Sequence, residues 1–222
     1  MKTSKPTEIL LIVLTLLPFL YLGLIYSSLP EEVPMHFDAS GAVDRYGNKM
    51  ELWMLPVIVM LPIYFILKYA PLIDPKKSIE KMGANWNYFK LFVTLAMAAL
   101  SIGIIYVSYS NMNELSDAPL PLSWIYAIVG ILFVVMGNYM PALKPNYFVG
   151  IRTPWTLEND LVWRKTHRLG GKLFIAVGLI ILLSVFLFSD VLVFWVLIGT
   201  TVALTLITFI YSYRTFKNIS HE

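Results

Sequence analysis

Two polar segments stand out in this apolar chain, and the first carries three side chains of types that bind metals. His36, Asp38 and Asp44 lie close in sequence, and a histidine with two carboxylates is a donor set that divalent cations accept. Their spacing does not match an EF-hand loop, which needs oxygen ligands at alternating positions and a glycine at the sixth. The competing interpretation is that these side chains hydrogen-bond backbone groups and stabilise turns.

The second polar segment is NYFVGIRTPWTLENDLVWRKTH, residues 146–167. His167 would act as a general base if Glu158 or Asp160 folded beside it. The segment contains no G-x-S-x-G, H-E-x-x-H or phosphate-binding pattern, so it indicates no particular hydrolase. Its Trp and Arg residues are types that protein interfaces favour, and Trp also anchors helices at membrane surfaces. The acidic residues and the low density of basic ones argue against nucleic-acid binding.

Membrane helices must position both segments. The chain has 222 residues, of which 58% are hydrophobic and 14% charged, and its mean hydropathy is +0.69. Soluble domains carry about 25% charged residues. Six apolar segments are predicted to span the membrane: residues 9–27, 52–69, 88–109, 120–139, 173–188 and 191–213. Most of them approach the roughly 20 residues that cross a bilayer, and the fifth is short unless residues 169–172 extend it. The prediction is one all-α, polytopic membrane domain over residues 1–222, with no cysteine chemistry and no cofactor.

The basic residues predict how this domain is oriented. With the N-terminus inside, the inward-facing segments hold 15 Lys and Arg residues, and the outward-facing segments hold only Arg45 and Lys49. Such a bias follows the positive-inside rule. It predicts cytoplasmic N- and C-termini, a small outer cap over residues 29–50 and a cytoplasmic position for residues 140–172.

Turn signals shape the outer loop. Asp38-Ala39-Ser40-Gly41 and Tyr46-Gly47-Asn48 favour turns, because Gly and Asn tolerate positive φ. Met35-His36-Phe37 precedes the first turn as a short extended piece. We expect a compact cap folded onto the outer membrane face.

Helix signals shape the cytoplasmic loop. Prolines end the fourth helix, and Thr153-Pro154 is typical of a new helix start. The pattern predicts a short amphipathic helix over residues 154–168 that lies flat on the membrane and carries an Asp160–Arg164 ion pair. Gly170-Gly171 would then break the chain before the fifth helix.

Few polar groups fall inside the predicted spans. Thr201, Thr205, Thr208 and Ser212 share one face of the last helix, where they would line a polar path or hydrogen-bond within the helices. No charged residue or histidine falls near the middle of a span, which argues against a proton-driven pump. Three prolines would kink their helices, namely Pro18, Pro56 and Pro62. Two pairs of small residues would permit close helix packing, namely Ala99–Gly103 and Gly199–Ala203.

The two polar segments together resemble family signatures. PMHFDASGAVDRYGNK, within the first helix pair of residues 1–85, resembles the domain of unknown function DUF1648, although Val43 stands where we expect a proline. NYFVGIRTPWTLENDLVWRKTHRLGGK resembles the second signature of SdpI-family membrane proteins. In this order the two signatures cover nearly the whole chain.

The resemblance implies a non-enzymatic protein of the bacterial inner membrane that gives immunity against a secreted peptide toxin. It also implies signalling to a cytoplasmic transcriptional repressor, with no direct contact to nucleic acid. Two alternatives stay open: a transporter or channel for a small molecule or amphiphile, and a membrane enzyme that uses His167. The outer candidates for binding are His36, Phe37, Asp38, Gly41, Asp44, Gly47 and Lys49. The cytoplasmic candidates are Asn146, Gly150, Arg152, Thr153, Pro154, Trp155, Thr156, Trp163 and His167.

Overall fold

Six long apolar helices make up most of the protein. The computed structural model describes residues 5–113 and 122–219, and these helices are long and apolar enough to cross a membrane, as predicted. The predicted start of the fourth helix at Leu120 lies outside the described residues, as does the basic residue Lys2. A seventh, short helix lies between the fourth and fifth of these six. In chain order the helices are α1 (Lys5–Ile25), α2 (Met54–Ile73), α3 (Ala84–Asn113), α4 (Ser123–Tyr139), α5 (Pro154–Glu158), α6 (Asp160–Leu187) and α7 (Asp190–Ile219).

Large apolar side chains point away from the bundle along these helices. Leu24 is 82% exposed and Phe186 is 84% exposed. Water would make such a surface unfavourable, but lipid tails solvate it. A helix also satisfies its own backbone hydrogen bonds in lipid, where no water is available to do so. The exposed apolar faces are therefore the lipid-facing surface of a multi-pass membrane protein.

The two ends of the bundle carry different structures. The hairpin end lies between α1 and α2 and holds two antiparallel strands, β1 (Glu32–Phe37) and β2 (Val43–Asn48). Val33 of β1 packs into an apolar cluster with Leu22, Leu52 and Ile105, which ties the strands to the helices below. The loop end lies between α4 and α6 and holds residues 140–159. The predicted compact cap is thus a β-hairpin, with its extended piece in β1.

Glycines permit the close contact between the antiparallel helices α4 and α6. A Cβ built on Gly178 would lie 2.6 Å from the carbonyl oxygen of Gly130, and one on Gly137 would lie 2.6 Å from that of Gly171. The glycines lie seven residues apart on each helix, so each pair lies on one face. The small-residue pairs singled out above behave differently. Gly103 accommodates the Trp124 ring, but a Cβ on Gly199 would meet no described atom within 4 Å.

The predicted amphipathic helix over residues 154–168 is wrong. α5 ends at Glu158, and a separate helix, α6, begins at Asp160. The side chain of Asn159 caps α6 by accepting hydrogen bonds from the backbone N–H groups of Leu161 and Val162. α6 then runs without a break through Gly170-Gly171. These glycines do not end the helix because they are contact points: Gly171 packs on α4, and a Cβ on Gly170 would meet Ile151 at 2.4 Å.

Two smaller expectations also need correction. Pro56 is the third residue of α2, where a backbone N–H has no helical acceptor, so of the three prolines predicted to kink a helix only Pro18 and Pro62 lie well inside one. Asp160 does not pair with Arg164. It lies 3.8 Å from the Nζ atom of Lys76, which also donates to the carbonyl of Leu157 and so joins the segment after α2 to α5.

Candidate functional site

A buried asparagine organises the loop end. Asn146 is fully buried, and its amide nitrogen donates to the carbonyls of Lys144 and Val149. Its carbonyl oxygen accepts from the backbone N–H groups of Phe148 and Val149, both at 2.8 Å. The side chain therefore substitutes for the regular secondary structure that this segment lacks. Asn146 is predicted to be a functional residue, and in the structure its polar atoms are all used to fold the loop.

His167 closes the same loop against α6. Its Nε2 atom lies 3.0 Å from the backbone nitrogen of Ile151, and its Nδ1 atom lies 2.9 Å from the carbonyl oxygen of Trp163. A backbone N–H can only donate and a carbonyl can only accept, so these partners require a neutral imidazole with its proton on Nδ1. The ring stacks on Trp163 at 3.9 Å, and the Trp163 indole donates to the carbonyl of Leu143.

Gly150 permits this close approach of the loop to His167. Its φ of +116° is a conformation that other residues rarely adopt. A Cβ at this position would lie 2.4 Å from the Nε2 atom of His167. Both its backbone angle and the space around it therefore require glycine.

Thr153 and Thr156 start α5 and connect it to the last helix. The two side chains form a reciprocal capping box, with Pro154 in the first turn as predicted. The Thr153 hydroxyl also donates to the hydroxyl of Ser212 at 3.1 Å, and Trp155 packs against the α7 rings Phe209 and Tyr213. The motif thus joins α5 to α7 at one end of the bundle.

The side chains at the loop end do not form an acid–base pair. Backbone groups engage both ring nitrogens of His167, so neither contacts Glu158 or Asp160. Glu158 is exposed, and Asp160 lies beside Lys76. Arg152 is also exposed and donates to the carbonyl of Tyr147. The arrangement can stabilise a fold and present a surface, but it does not prepare His167 to accept a proton from a substrate.

The hydroxyl stripe on α7 hydrogen-bonds mainly within its own helix. Thr205 donates to the carbonyl of Thr201, and Thr208 donates to that of Leu204, each at 2.9 Å. Ser212 donates to Phe209 and accepts from Thr153. The hydroxyl of Thr201 is buried without a partner among the described residues. Helix-internal bonding therefore accounts for the stripe better than a polar path does.

Asp38 builds the turn of the hairpin. Its Oδ1 atom accepts from the backbone and hydroxyl of Ser40, at 2.8 and 2.6 Å, and from the backbone of Ala42 at 3.1 Å. Gly41 completes the turn at a φ of +84°. These hydrogen bonds, above all that from the Ser40 hydroxyl, hold the pKa of Asp38 below its usual range. Asp38 therefore acts within the turn.

The exposed face of the hairpin carries polar side chains. His36 Nδ1 lies 2.6 Å from Asp44 Oδ1, and the two side chains are 66% and 48% exposed. Arg45 and Tyr46 are exposed next to them. Within the part of the chain that the structure describes, no three His, Asp or Glu residues assemble into a group that could hold a metal ion. Because Asp38 serves the turn, the remaining pair is a surface feature of the hairpin.

Lys49, Gly47 and Phe37 support the base of the hairpin. The Nζ atom of Lys49 donates to the carbonyl of Leu29 and lies 3.0 Å from a carboxylate oxygen of Glu31. A Cβ on Gly47 would lie 2.6 Å from a carboxylate oxygen of Glu51, and Phe37 is half-buried. Of the outer candidates, His36 and Asp44 have the most accessible functional groups.

Sequence patterns missed a charged cluster at the loop end of α1, α2 and α3. Lys68 lies 2.7 Å from Glu8, and the Tyr64 hydroxyl donates to Glu8 at 2.8 Å. Glu8 and Lys68 line a cavity of about 430 Å³. Lys90 of α3, which is 2% exposed, lines this cavity too. The available signals were the acidic residue in the first turn of α1 and the Tyr64–Lys68 pair one helical turn apart.

Asp38→Ala is expected to loosen the turn without unfolding the helices, because the Ser40 and Ala42 amides lose their acceptor. Their hydrogen exchange at pH 7 should accelerate about five-fold. The pKa of Asp38 is lowered in the folded turn, so its contribution is complete above the unfolded-state pKa and disappears as the pH falls through the folded-state pKa. Exchange at the two amides, corrected for intrinsic rates, checks this. Glu32→Gln, an exposed acid in β1, should leave both amides unchanged.

Comparison with known proteins connects both polar segments to described families. The family model described as the SdpI/YfhL protein family matches residues 142–212, and the model of the domain of unknown function DUF1648 matches residues 13–60. The chain is 26% identical to the immunity protein SdpI of Bacillus subtilis, over 96% of this chain and 97% of that protein. It is 32% identical to an uncharacterized protein of Archaeoglobus fulgidus, over 60% of this chain and 85% of that protein. No solved structure matches the chain.

Proposed function

Because the chain belongs to the SdpI/YfhL family and is a multi-pass protein of the bacterial inner membrane, we propose that it protects its cell against a secreted antimicrobial peptide toxin. The observation that carries this proposal is the similarity to an immunity protein across nearly the full length of both chains. A similarity of that extent covers the hairpin, the loop end and all six spans, so it is not limited to generic apolar helices.

The hairpin end would face outward and meet the toxin first. The distribution of basic residues supports this orientation. Of the 17 Lys and Arg residues, 15 fall in segments at the loop end or in the helix ends next to it, which the positive-inside rule places in the cytoplasm. Arg45 and Lys49 are the two basic residues on the hairpin side. The accessible groups at that end are His36, Asp44, Arg45 and Tyr46.

A groove beside the hairpin suits an amphipathic peptide. It has a volume of about 320 Å³, and its lining includes the apolar side chains of Met35, Leu55 and Ile58 together with Arg45 and Glu51. Arg45 and Glu51 lie 3.3 Å apart in an ion pair. A membrane-active peptide would place its apolar face against the apolar side chains of the groove and its polar groups against the Arg45–Glu51 ion pair.

The geometry favours immunity over the two alternatives. A transporter lined by the α7 stripe would need hydroxyls that are available to a substrate, and most of these hydroxyls bond to their own helix. A membrane enzyme would need a free imidazole, and backbone groups hold both nitrogens of His167. These contacts support the non-enzymatic role that we propose for the protein.

Signalling to a cytoplasmic repressor is a further proposal for the loop end. Arg152, Pro154 and Glu158 are exposed around α5, and Trp155 is half-buried beside them. Interfaces favour Trp and Arg as anchor residues. Thr153 and Trp155 also contact α7, so a shift of α7 would move this surface.

A survival assay tests the immunity proposal. Toxin-sensitive cells that express this chain should survive the peptides secreted by the producing organism or its siblings, and cells with an empty vector should die. Asp44→Ala removes an exposed partner of His36 and should reduce survival about ten-fold or more. Arg152→Ala is the matched control at the other end and should leave protection intact. Equal membrane abundance without any protection by the wild-type chain would exclude immunity as the function.

A further inference from the structure

A basic groove separates the loop-end portions of α6 and α7. Its volume is about 610 Å³. Lys165, Arg168 and Lys172 line one wall, and their spacings of three and four residues place them on a single face of α6. The opposite wall belongs to α7 and supplies hydroxyl and amide groups from Tyr211, Thr215 and Asn218.

The three cations have no acidic partner among the described residues that line this groove. All three side chains are exposed, and the part of the lining that residues 5–113 and 122–219 contribute contains no Asp or Glu. Within residues 5–113 and 122–219, the ion pairs of the protein involve other basic residues. Three like charges on successive turns repel one another, so an anion that enters the groove would relieve that repulsion.

The same face of α6 becomes apolar below the groove. Continuing from Lys172 by steps of four, three and four residues leads to Ala176, Leu179 and Leu183, all of which are exposed. Leu179 is 49% exposed and Leu183 is 62% exposed. At a rise of about 1.5 Å per residue, the stripe from Lys172 to Leu183 extends roughly 16 Å along the helix. A basic pocket at the interface thus continues directly into a lipid-facing apolar surface.

We propose that this groove binds the headgroup of an anionic phospholipid, with an acyl chain against the α6 stripe. The three cations would contact the phosphate, and the polar groups of α7 would hydrogen-bond its oxygens or those of the headgroup. Basic pockets between helix ends are a recognised form of anionic-lipid site. An acidic protein would match the charge of the groove but would not also cover the lipid-facing stripe that continues from it, so the combination favours an amphiphilic anion.

Native mass spectrometry of the full-length protein, delipidated in detergent, tests the site. The probes are phosphatidylglycerol, phosphatidylcholine of the same chain length, and inorganic phosphate. Wild-type protein should bind phosphatidylglycerol at least about ten-fold more tightly than phosphatidylcholine, and more tightly than phosphate. The triple variant K165Q/R168Q/K172Q should lose that preference. The charge-conserving variant K165R/R168K/K172R should retain it, which separates loss of charge from loss of fold.

A matched control removes three exposed cations from the same end of the molecule but outside the groove. K77Q/K81Q/K144Q should keep the affinity for phosphatidylglycerol within about two-fold of wild type. An equal loss in this control would overturn the proposal, because binding would then follow total charge and not the groove. Equal binding of phosphatidylcholine, or equal binding of free phosphate, would overturn it as well.

Discussion

Replacing Gly178 with leucine is expected to force α4 and α6 apart and to destabilise the bundle by about 3 kcal/mol or more. A Cβ at Gly178 would lie 2.6 Å from the carbonyl oxygen of Gly130 and 2.8 Å from the backbone nitrogen of Val134. Both atoms belong to a helix backbone, so a side-chain rotation cannot relieve the contact. The helices would separate and lose packing along their length, and close packing is the main attraction between helices in lipid.

Gly199→Leu provides the matched control for this substitution. Gly199 also lies within a spanning helix, but a Cβ there meets no described atom within 4 Å. Both substitutions gain the same intrinsic helix propensity, up to about 1 kcal/mol, so the difference between them reports the contact with α4. Denaturant unfolding in detergent micelles, followed by circular dichroism, would measure it. Equal stability of the two variants would contradict the described α4–α6 contact.

His167→Phe is expected to destabilise the loop end by about 2–4 kcal/mol. Phenylalanine retains a ring that stacks on Trp163 but cannot accept the hydrogen bond from the backbone of Ile151. That N–H group would then be left without its acceptor next to α6. Trypsin should cut faster after Arg152, an exposed basic residue of the loop that is followed by Thr153; Lys144 precedes a proline and is not a trypsin site.

A glutamine at position 167 distinguishes the hydrogen bond from the shape of the ring. Its amide oxygen can accept from Ile151, so His167→Gln should recover part of the lost resistance to trypsin. Wild-type cleavage rates in the phenylalanine variant would show that the imidazole does not organise the loop. The expected order of resistance is wild type, then glutamine, then phenylalanine.

Local sequence signals predicted the spans, the hairpin turn and one helix cap. An apolar run crosses a bilayer whatever its neighbours are, so composition and length were sufficient for the six helices. The Asp38–Gly41 turn depends on contacts only a few residues apart, and Thr153-Pro154 caps α5 through Thr156, three residues away. In each case the interacting groups lie within one turn of chain.

Features that depend on distant contacts were missed or misread. Gly170-Gly171 reads locally as a helix break, but its role in packing is visible only once Gly137 and Ile151 lie against it. Thr153 and Asn159 are both residue types that cap helices, and in the structure Thr153 caps α5 and Asn159 caps α6, six residues later. Sequence alone does not indicate that two helices start so close together. The membrane-enzyme alternative required a carboxylate beside His167, but backbone atoms from residues 151 and 163 contact both ring nitrogens.

Site-specific photo-crosslinking tests most directly whether the hairpin end receives the toxin. Tyr46 on the hairpin is 60% exposed and Tyr147 at the loop end is 43% exposed, so each can be replaced by p-benzoylphenylalanine with little disturbance. The probe peptide is the toxin against which expression of the chain protects cells, added from outside. We expect an adduct at position 46 and none at position 147. An adduct at position 147 instead, or none at either position in cells that survive, would contradict the assignment of the toxin-binding surface to the hairpin end.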